Sequence, residues 1–229
     1  MDSAPALALL LSGDPALYGI AALSLKVSLS AVVIASLLGM PLGAALAIGR
    51  IPGRALLTVL INACMGLPPV VVGLAVFLLL SRSGPLGALG LLFTPAAMVI
   101  AQAILVTPII AGLTRQVIED LWTEYRDEFA AMHIGPVRRA AALLWDARFS
   151  LVTTWLAGFG RAAAEVGAVM IVGGNIDGFT RTMTTAIALE TSKGDLPLAM
   201  GLGLLLIAIV LIVNALAWGV RRLGERFAG

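Results

Sequence analysis

At least three stretches of this chain carry no charged side chain over the full width of a bilayer core, and this limits what it can fold into more than any other feature. They lie between Arg54 and Arg82, between Arg82 and Arg115, and between Asp195 and Arg221. A helix needs about 20 apolar residues to cross hydrocarbon. No water reaches the backbone there, so its N–H and C=O groups must pair within helices or a closed barrel. The runs are too long for tilted barrel strands of about 9–11 residues. Only 12% of the residues are charged and 60% are hydrophobic, against about 25% charged in a soluble domain. The sequence therefore predicts an all-α membrane protein with one transmembrane domain over 1–229. About five spans are expected, near 25–48, 56–80, 94–117, 151–172 and 196–220. Residues 14–24 read as a short amphipathic lead-in near the surface, with Lys26 snorkelling toward headgroups. The N-terminus has an acid and no base ahead of its apolar stretch, unlike a signal peptide, and is read as retained.

Basic residues close to span ends stay on the cytoplasmic side. With the N-terminus outside, Arg50, Arg54, Arg115, Arg126, Arg138, Arg139, Arg148, Arg221, Arg222 and Arg226 fall inside, and only Arg82, Arg181 and Lys193 fall outside. The expected topology is N-out, C-in. It makes 118–148 a cytoplasmic loop and 173–195 an outer loop. The net charge of +2 is spread over the ends of apolar segments and forms no patch, which argues against nucleic-acid binding.

Pro41, Pro68, Pro69 and Pro108 fall inside expected spans, where each removes a backbone donor and favours a bend. Such bends can be hinges beside a pathway or static kinks that improve packing. Gly39 and Gly43 have the spacing of a close helix-packing face. Cys64, the only cysteine, sits in an apolar run and reads as a small core residue. The chain lacks His-Glu-x-x-His, and its one Cys and one His lie in different layers, so neither a metal site nor an intramembrane nucleophile is expected. No catalytic residue and no cofactor is assigned. Without a G-x-x-x-x-G-K-[ST] loop, the chain is not expected to bind nucleotide.

The segment WTEYRDEFAAMHIGPVRRAAALLWDARFS carries the most informative pattern. Tyr125, Phe129 and Met132 share a helical face. Gly135 is expected to end that helix, and Pro136 to start another whose face holds Val137, Ala141 and Leu144, with Arg138 and Arg139 turned elsewhere. The product is a cytoplasmic elbow that exposes a small apolar knob at Ala130, Ala131 and Met132, a shape suited to a partner's groove. His133 reads as a surface residue of this elbow.

Phe129-Ala130-Ala131-x-x-x-Gly135 resembles the Glu-Ala-Ala-x-x-x-Gly loop of ABC importer permeases, with Glu128 one place ahead of the family's Glu and Trp145-Asp146-Ala147-Arg148 in place of its Ile-x-Leu-Pro ending. GFGRAAAEVGAVMIVGGNI and DGFTRTMTTAIALET resemble permeases for tungstate, molybdate and sulfate, and GLPPVVVGLAVFLLLSRSGPLG with LLFTPAAMVIAQ is most similar to the tungstate branch. The resemblance implies a type I importer permease in the cell's inner membrane, which works as two copies of this chain with two cytoplasmic ATPase subunits and an extracytoplasmic oxyanion-binding protein. It further implies that Glu128, Phe129, Ala130, Ala131, Met132, Gly135, Arg138 and Arg139 form the ATPase-coupling surface. The open alternatives are a molybdate or sulfate permease, a stand-alone channel, or an intramembrane enzyme.

Arg161 and Glu165 fall inside the fourth span, where a lone charge costs about 2.5–3.5 kcal/mol. Spaced i, i+4, they can compensate each other. They read either as a gate on the translocation path or as an ion pair that fixes helix packing. Asn175, Asp177 and Arg181 in the outer loop are candidates for docking a binding protein, although a solvated connector would look the same.

Overall fold

The computed structural model of the chain describes residues 15–49 and 52–228, with side chains placed within 17–49 and 52–222. Residues 1–14, Arg50 and the Arg226 side chain lie outside the described residues. Among the described residues there are nine α-helices and no strand. They are α1 (Pro15–Ile48), α2 (Arg54–Met65), α3 (Pro69–Leu80), α4 (Pro95–Ala131), α5 (Pro136–Asp146), α6 (Arg148–Ala163), α7 (Gly167–Gly173), α8 (Met183–Lys193) and α9 (Leu196–Ala228). α1, α4 and α9 are each long and apolar enough to cross a membrane, and the broken pairs α2–α3 and α6–α7 raise the number to five if each pair crosses once.

The prolines act differently according to their neighbours. Pro41 and Pro108 lie inside continuous helices, where one lost donor is tolerated. At 66–69 the signals accumulate: Gly66 caps α2, Pro68 is extended with φ −63° and ψ 122°, and Pro69 takes the first position of α3, which a ring-fixed φ favours. The second apolar run is therefore two helices. The lead-in expected near the surface also differs, because it forms the first turns of α1. Leu17 and Ala21, one turn apart, are buried with Met183, Ala186 and Leu202, and protein covers the face that an interface was expected to cover.

The helices divide into two compact units, whose boundaries fall inside α1, α4, α6 and α9 and, at Leu67 and Pro68, between α2 and α3. The first holds the described residues of Met1–Ala31 with Pro68–Gln102 and Gly160–Asn214. In it α3 meets α7 so closely that a Cβ on Gly73 would stand 2.7 Å from the Ala168 Cα. A glycine there lets two backbones touch without side chains between them.

The second unit holds Val32–Leu67, Ala103–Phe159 and the described residues of Ala215–Gly229. Its core joins Ala44 and Ala47 of α1, Ile118 of α4, Leu143 of α5, Ala147, and Leu151 of α6. Gly39 and Gly43 face α4, and a Cβ on Gly39 would come within 2.9 Å of the Thr107 carbonyl. α4 has 37 residues and at 1.5 Å per residue reaches about 55 Å, well beyond a hydrocarbon layer. Its far end carries the elbow.

Candidate functional site

In the first unit, α6 stops at Ala163 and α7 starts at Gly167, with a bend of 58° between them. A break in an apolar helical stretch exposes backbone groups that must find partners. Two come from distant elements. Gln102 of α4 donates from Nε2 to the Ala162 carbonyl at 3.0 Å, and the Thr184 hydroxyl of α8 donates to the Glu165 carbonyl at 2.8 Å. The third is local: Glu165 Oε1 accepts the Ala168 N–H at 3.0 Å, which satisfies one of the free donors that open a helix.

The other oxygen, Glu165 Oε2, accepts from Arg161 Nη1 at 2.5 Å. Glu165 is 4% exposed and Arg161 31%. The acid is thus fully committed, to a cation and to a backbone donor. The base is not: a guanidinium has five donors, and Glu165 takes one. Arg161 also lies in the last turn of α6, where the helix dipole favours a cation. The arrangement is a neutral buried pair with one partly exposed face, and that face is the cation. It can meet an anion without leaving a net charge behind when the anion departs.

Sequence reasoning brought Arg161 and Glu165 together but missed the break between them and the two residues that hold it. Gln102 is 3% exposed, and its Oε1 is buried without a hydrogen-bond partner. A lone glutamine within a long apolar run was the available signal.

The segment 173–195 is not without helix, contrary to its reading as a loop. It contains α8, which buries Met183, Thr184, Thr185 and Ala186. Thr182 and Thr185 form a reciprocal cap at its start, and Ser24 Oγ accepts the Met183 N–H at 2.7 Å. Of the three docking candidates, only Asp177 is well exposed. Arg181 is mostly buried and donates to Asp177 at 3.0 Å. Asn175 is half-buried at φ 50° after Gly174 at φ 71°, a left-handed pair that turns the chain after α7.

In the second unit, α4 ends in a Schellman motif. His133 sits at φ 53° and donates its N–H to the Ala130 carbonyl, while Ile134 N–H reaches the Phe129 carbonyl. His133, and not Gly135, therefore ends the helix. Gly135 instead precedes Pro136 in extended conformation at the start of α5. The eight coupling candidates separate into two groups. Glu128, Ala130, Ala131, Met132, Gly135 and Arg138 are exposed. Phe129 stacks on Trp122 with centroids 6.2 Å apart, and Arg139 lies over Trp122 and donates from Nε to the Ile134 carbonyl at 2.5 Å. These two brace the turn from inside. On α5 the expected apolar face points outward at Val137, 81% exposed, and Trp145 near the helix's other end is 71% exposed, while Leu143 fills the core. Acids surround the elbow: the Tyr125 hydroxyl is held above its ordinary pKa by Glu124 first, then Asp146, burial and Glu128. A cleft of about 850 Å³ beside the knob is lined by Ile48, Trp122, Arg126, Asp127, His133 and Arg139, among others. Nearby, Glu119 bridges Arg54 and Arg115, a cluster that the sequence did not reveal.

No family model matches the chain. Among curated proteins it is 45% identical over 207 residues to a probable anion ABC transporter permease protein of Haloferax volcanii, covering 87% of this chain and 88% of that one. It is 40% identical over 216 residues to the tungstate uptake system permease protein TupB of Peptoclostridium acidaminophilum, covering 94% and 95%. With the protein of that same name from Campylobacter jejuni it shares 38% over 163 residues, covering 71% and 68%. Permeases of sulfate and molybdenum transport systems match at 27–29% identity.

Proposed function

The chain belongs to the ABC transporter permeases, among those for tungstate and related anions, and from that membership we propose that it forms the translocation path of an ATP-driven tungstate importer. It is a multi-pass protein of the cell membrane. The observation that carries the substrate reading is its 40% identity to a tungstate uptake permease over 94% of its length, against 27–29% for the sulfate and molybdenum permeases. In this reading two copies of the chain cross the membrane five times each, N-out and C-in. An extracytoplasmic binding protein delivers the anion near Asn175, Asp177 and Arg181, and a pair of cytoplasmic ATPases supplies the energy. The chain itself makes and breaks no covalent bond.

The elbow is the coupling lever. Ala130, Ala131 and Met132 form a compact apolar tip, and the tip is braced from within by Phe129 and Arg139, so force on it passes into α4 and α5 without first deforming the turn. Glu128 and Arg138 flank it with opposite charges and set register in the ATPase groove. Closure of the ATPase pair then switches the spans between two packings.

Arg161 serves the path. A doubly charged oxyanion needs a cation to leave water, yet a bare arginine in a low-dielectric channel would hold it too long. Pairing with Glu165 weakens the site to a transient contact. Because the pair is neutral by itself, no uncompensated charge is left behind once the anion has gone.

The test is competitive uptake by the assembled transporter in proteoliposomes, with internal tungsten, molybdenum and sulfur measured by elemental analysis. ATP-dependent tungstate accumulation that equimolar sulfate does not reduce is the expected result. Preferential sulfate uptake would move the chain to the sulfate branch, and flux from the chain without its ATPase would make it a channel.

A further inference from the structure

Within the second unit, one face of α1 and one face of α6 enclose a groove of about 460 Å³. Leu37, Met40 and Pro41 line it from α1, and Leu151, Val152 and Trp155 from α6. The polar residues at its wall are Ser36 and, where α6 begins, Arg148.

Arg148 is held in an unusual setting. Its guanidinium lies 5.0 Å from the Trp145 ring centroid and 4.5 Å from that of Phe149, and Nη1 donates to the Trp145 carbonyl at 2.8 Å. No carboxylate pairs with it among the described residues. The aromatic faces and the carbonyl fix the cation and leave it short of a counter-ion, although Asp146 stands two residues away. From Arg148 to Trp155 the groove descends seven residues, or about 10 Å of helix, from a charged head to a ring in apolar surroundings.

We propose that this groove binds one anionic phospholipid, with the phosphate on Arg148 and an acyl chain between Leu37 and Trp155. Charge selects this occupant over a second copy of the chain. A packed helix from another copy would have to bring its own acid to Arg148 at the membrane boundary, whereas every anionic phospholipid carries a phosphate at that depth. A basic pocket between spans is a known way to recognise such headgroups, and an arginine there is worth about 1 kcal/mol. The site is independent of Arg161 and Glu165, so it can stand or fall apart from the transport reading.

Two measurements test it. In the first, the full chain carries Trp122→Phe, Trp145→Phe and Trp218→Phe, so that Trp155 alone fluoresces, and is reconstituted in phosphatidylcholine vesicles containing brominated phosphatidylcholine or brominated phosphatidylglycerol. Brominated phosphatidylglycerol is expected to quench Trp155 with about fivefold higher apparent affinity, as an interaction near 1 kcal/mol implies. Arg148→Gln should abolish the preference, and millimolar inorganic phosphate should not compete. The second measurement is native mass spectrometry of the unsubstituted chain, which should retain one phosphatidylglycerol that Arg148→Gln loses. Equal quenching by both lipids, a preference that survives Arg148→Gln, displacement by inorganic phosphate, or a Trp155 that neither lipid reaches would each overturn the proposal.

Discussion

Among the described residues two helical stretches are broken, and they are held open by different means. Between α2 and α3 the break is written locally, in Gly66, Pro68 and Pro69, and needs no polar side chain from elsewhere. Between α6 and α7 there is no proline. Gln102 and Thr184 reach in from other helices to take up the freed carbonyls, and Glu165 turns back to cap α7. A proline break persists whatever surrounds it, whereas one held by side chains lasts only while its partners stay in place. The second kind is the better candidate for a moving part, and it is the one that carries Arg161 and Glu165.

The comparison can be broken most forcefully at the pair itself. Removing one partner of a buried ion pair costs about 3–5 kcal/mol because the other is left uncompensated. Arg161→Ala and Glu165→Ala are each expected to lower the thermal stability of the assembled transporter strongly and to stop uptake, with the double variant more stable than either single one. A double variant that assembles and transports normally would reduce the pair to helix packing. Next in size are the two clamps. Thr184→Val should cost about 1–3 kcal/mol by leaving the buried Glu165 carbonyl without its hydroxyl donor, read as a fall in midpoint temperature that Thr184→Ser should mostly recover, and Gln102→Leu should cost less, because the Ala162 carbonyl still accepts the Glu165 N–H at 3.2 Å. Isolated peptides sharpen the contrast further. In micelles, residues 54–80 should keep a break at 66–68 by NMR, while residues 148–173, without Gln102 and Thr184, should run as one helix. The smallest effect on the permease itself is expected at the elbow. Ala131→Asp is exposed and should change stability by less than about 0.5 kcal/mol, yet co-purification with the ATPase should be lost.

The contrast also explains what the sequence disclosed. The apolar runs of α1, α4 and α9 and the doubled proline are local signals, and they were legible. The break at 164–166 was not, because its partners lie 60 residues upstream and 19 downstream. α8 was hidden for a related reason. Its threonine-rich sequence reads as a polar loop, but Thr182, Thr184 and Thr185 satisfy one another and nearby backbone and so can be buried. At the elbow the Ala-Ala knob is visible, but the end of α4 expected at Gly135 falls at His133, which takes the left-handed position that glycine usually fills. The inward turn of Phe129 and Arg139 depends on Trp122, a contact that spacing along one helix cannot show.

The central claim is that the α6–α7 break borders the aqueous path, and Ala164, exposed within it, gives direct access. In a Cys64→Ser background, Ala164→Cys should react with a charged, membrane-impermeant thiol reagent, at a rate that changes when the ATPases are trapped with nucleotide. A cysteine at this position that stays unlabelled in every nucleotide state, in a transporter that still takes up the anion, would contradict the account.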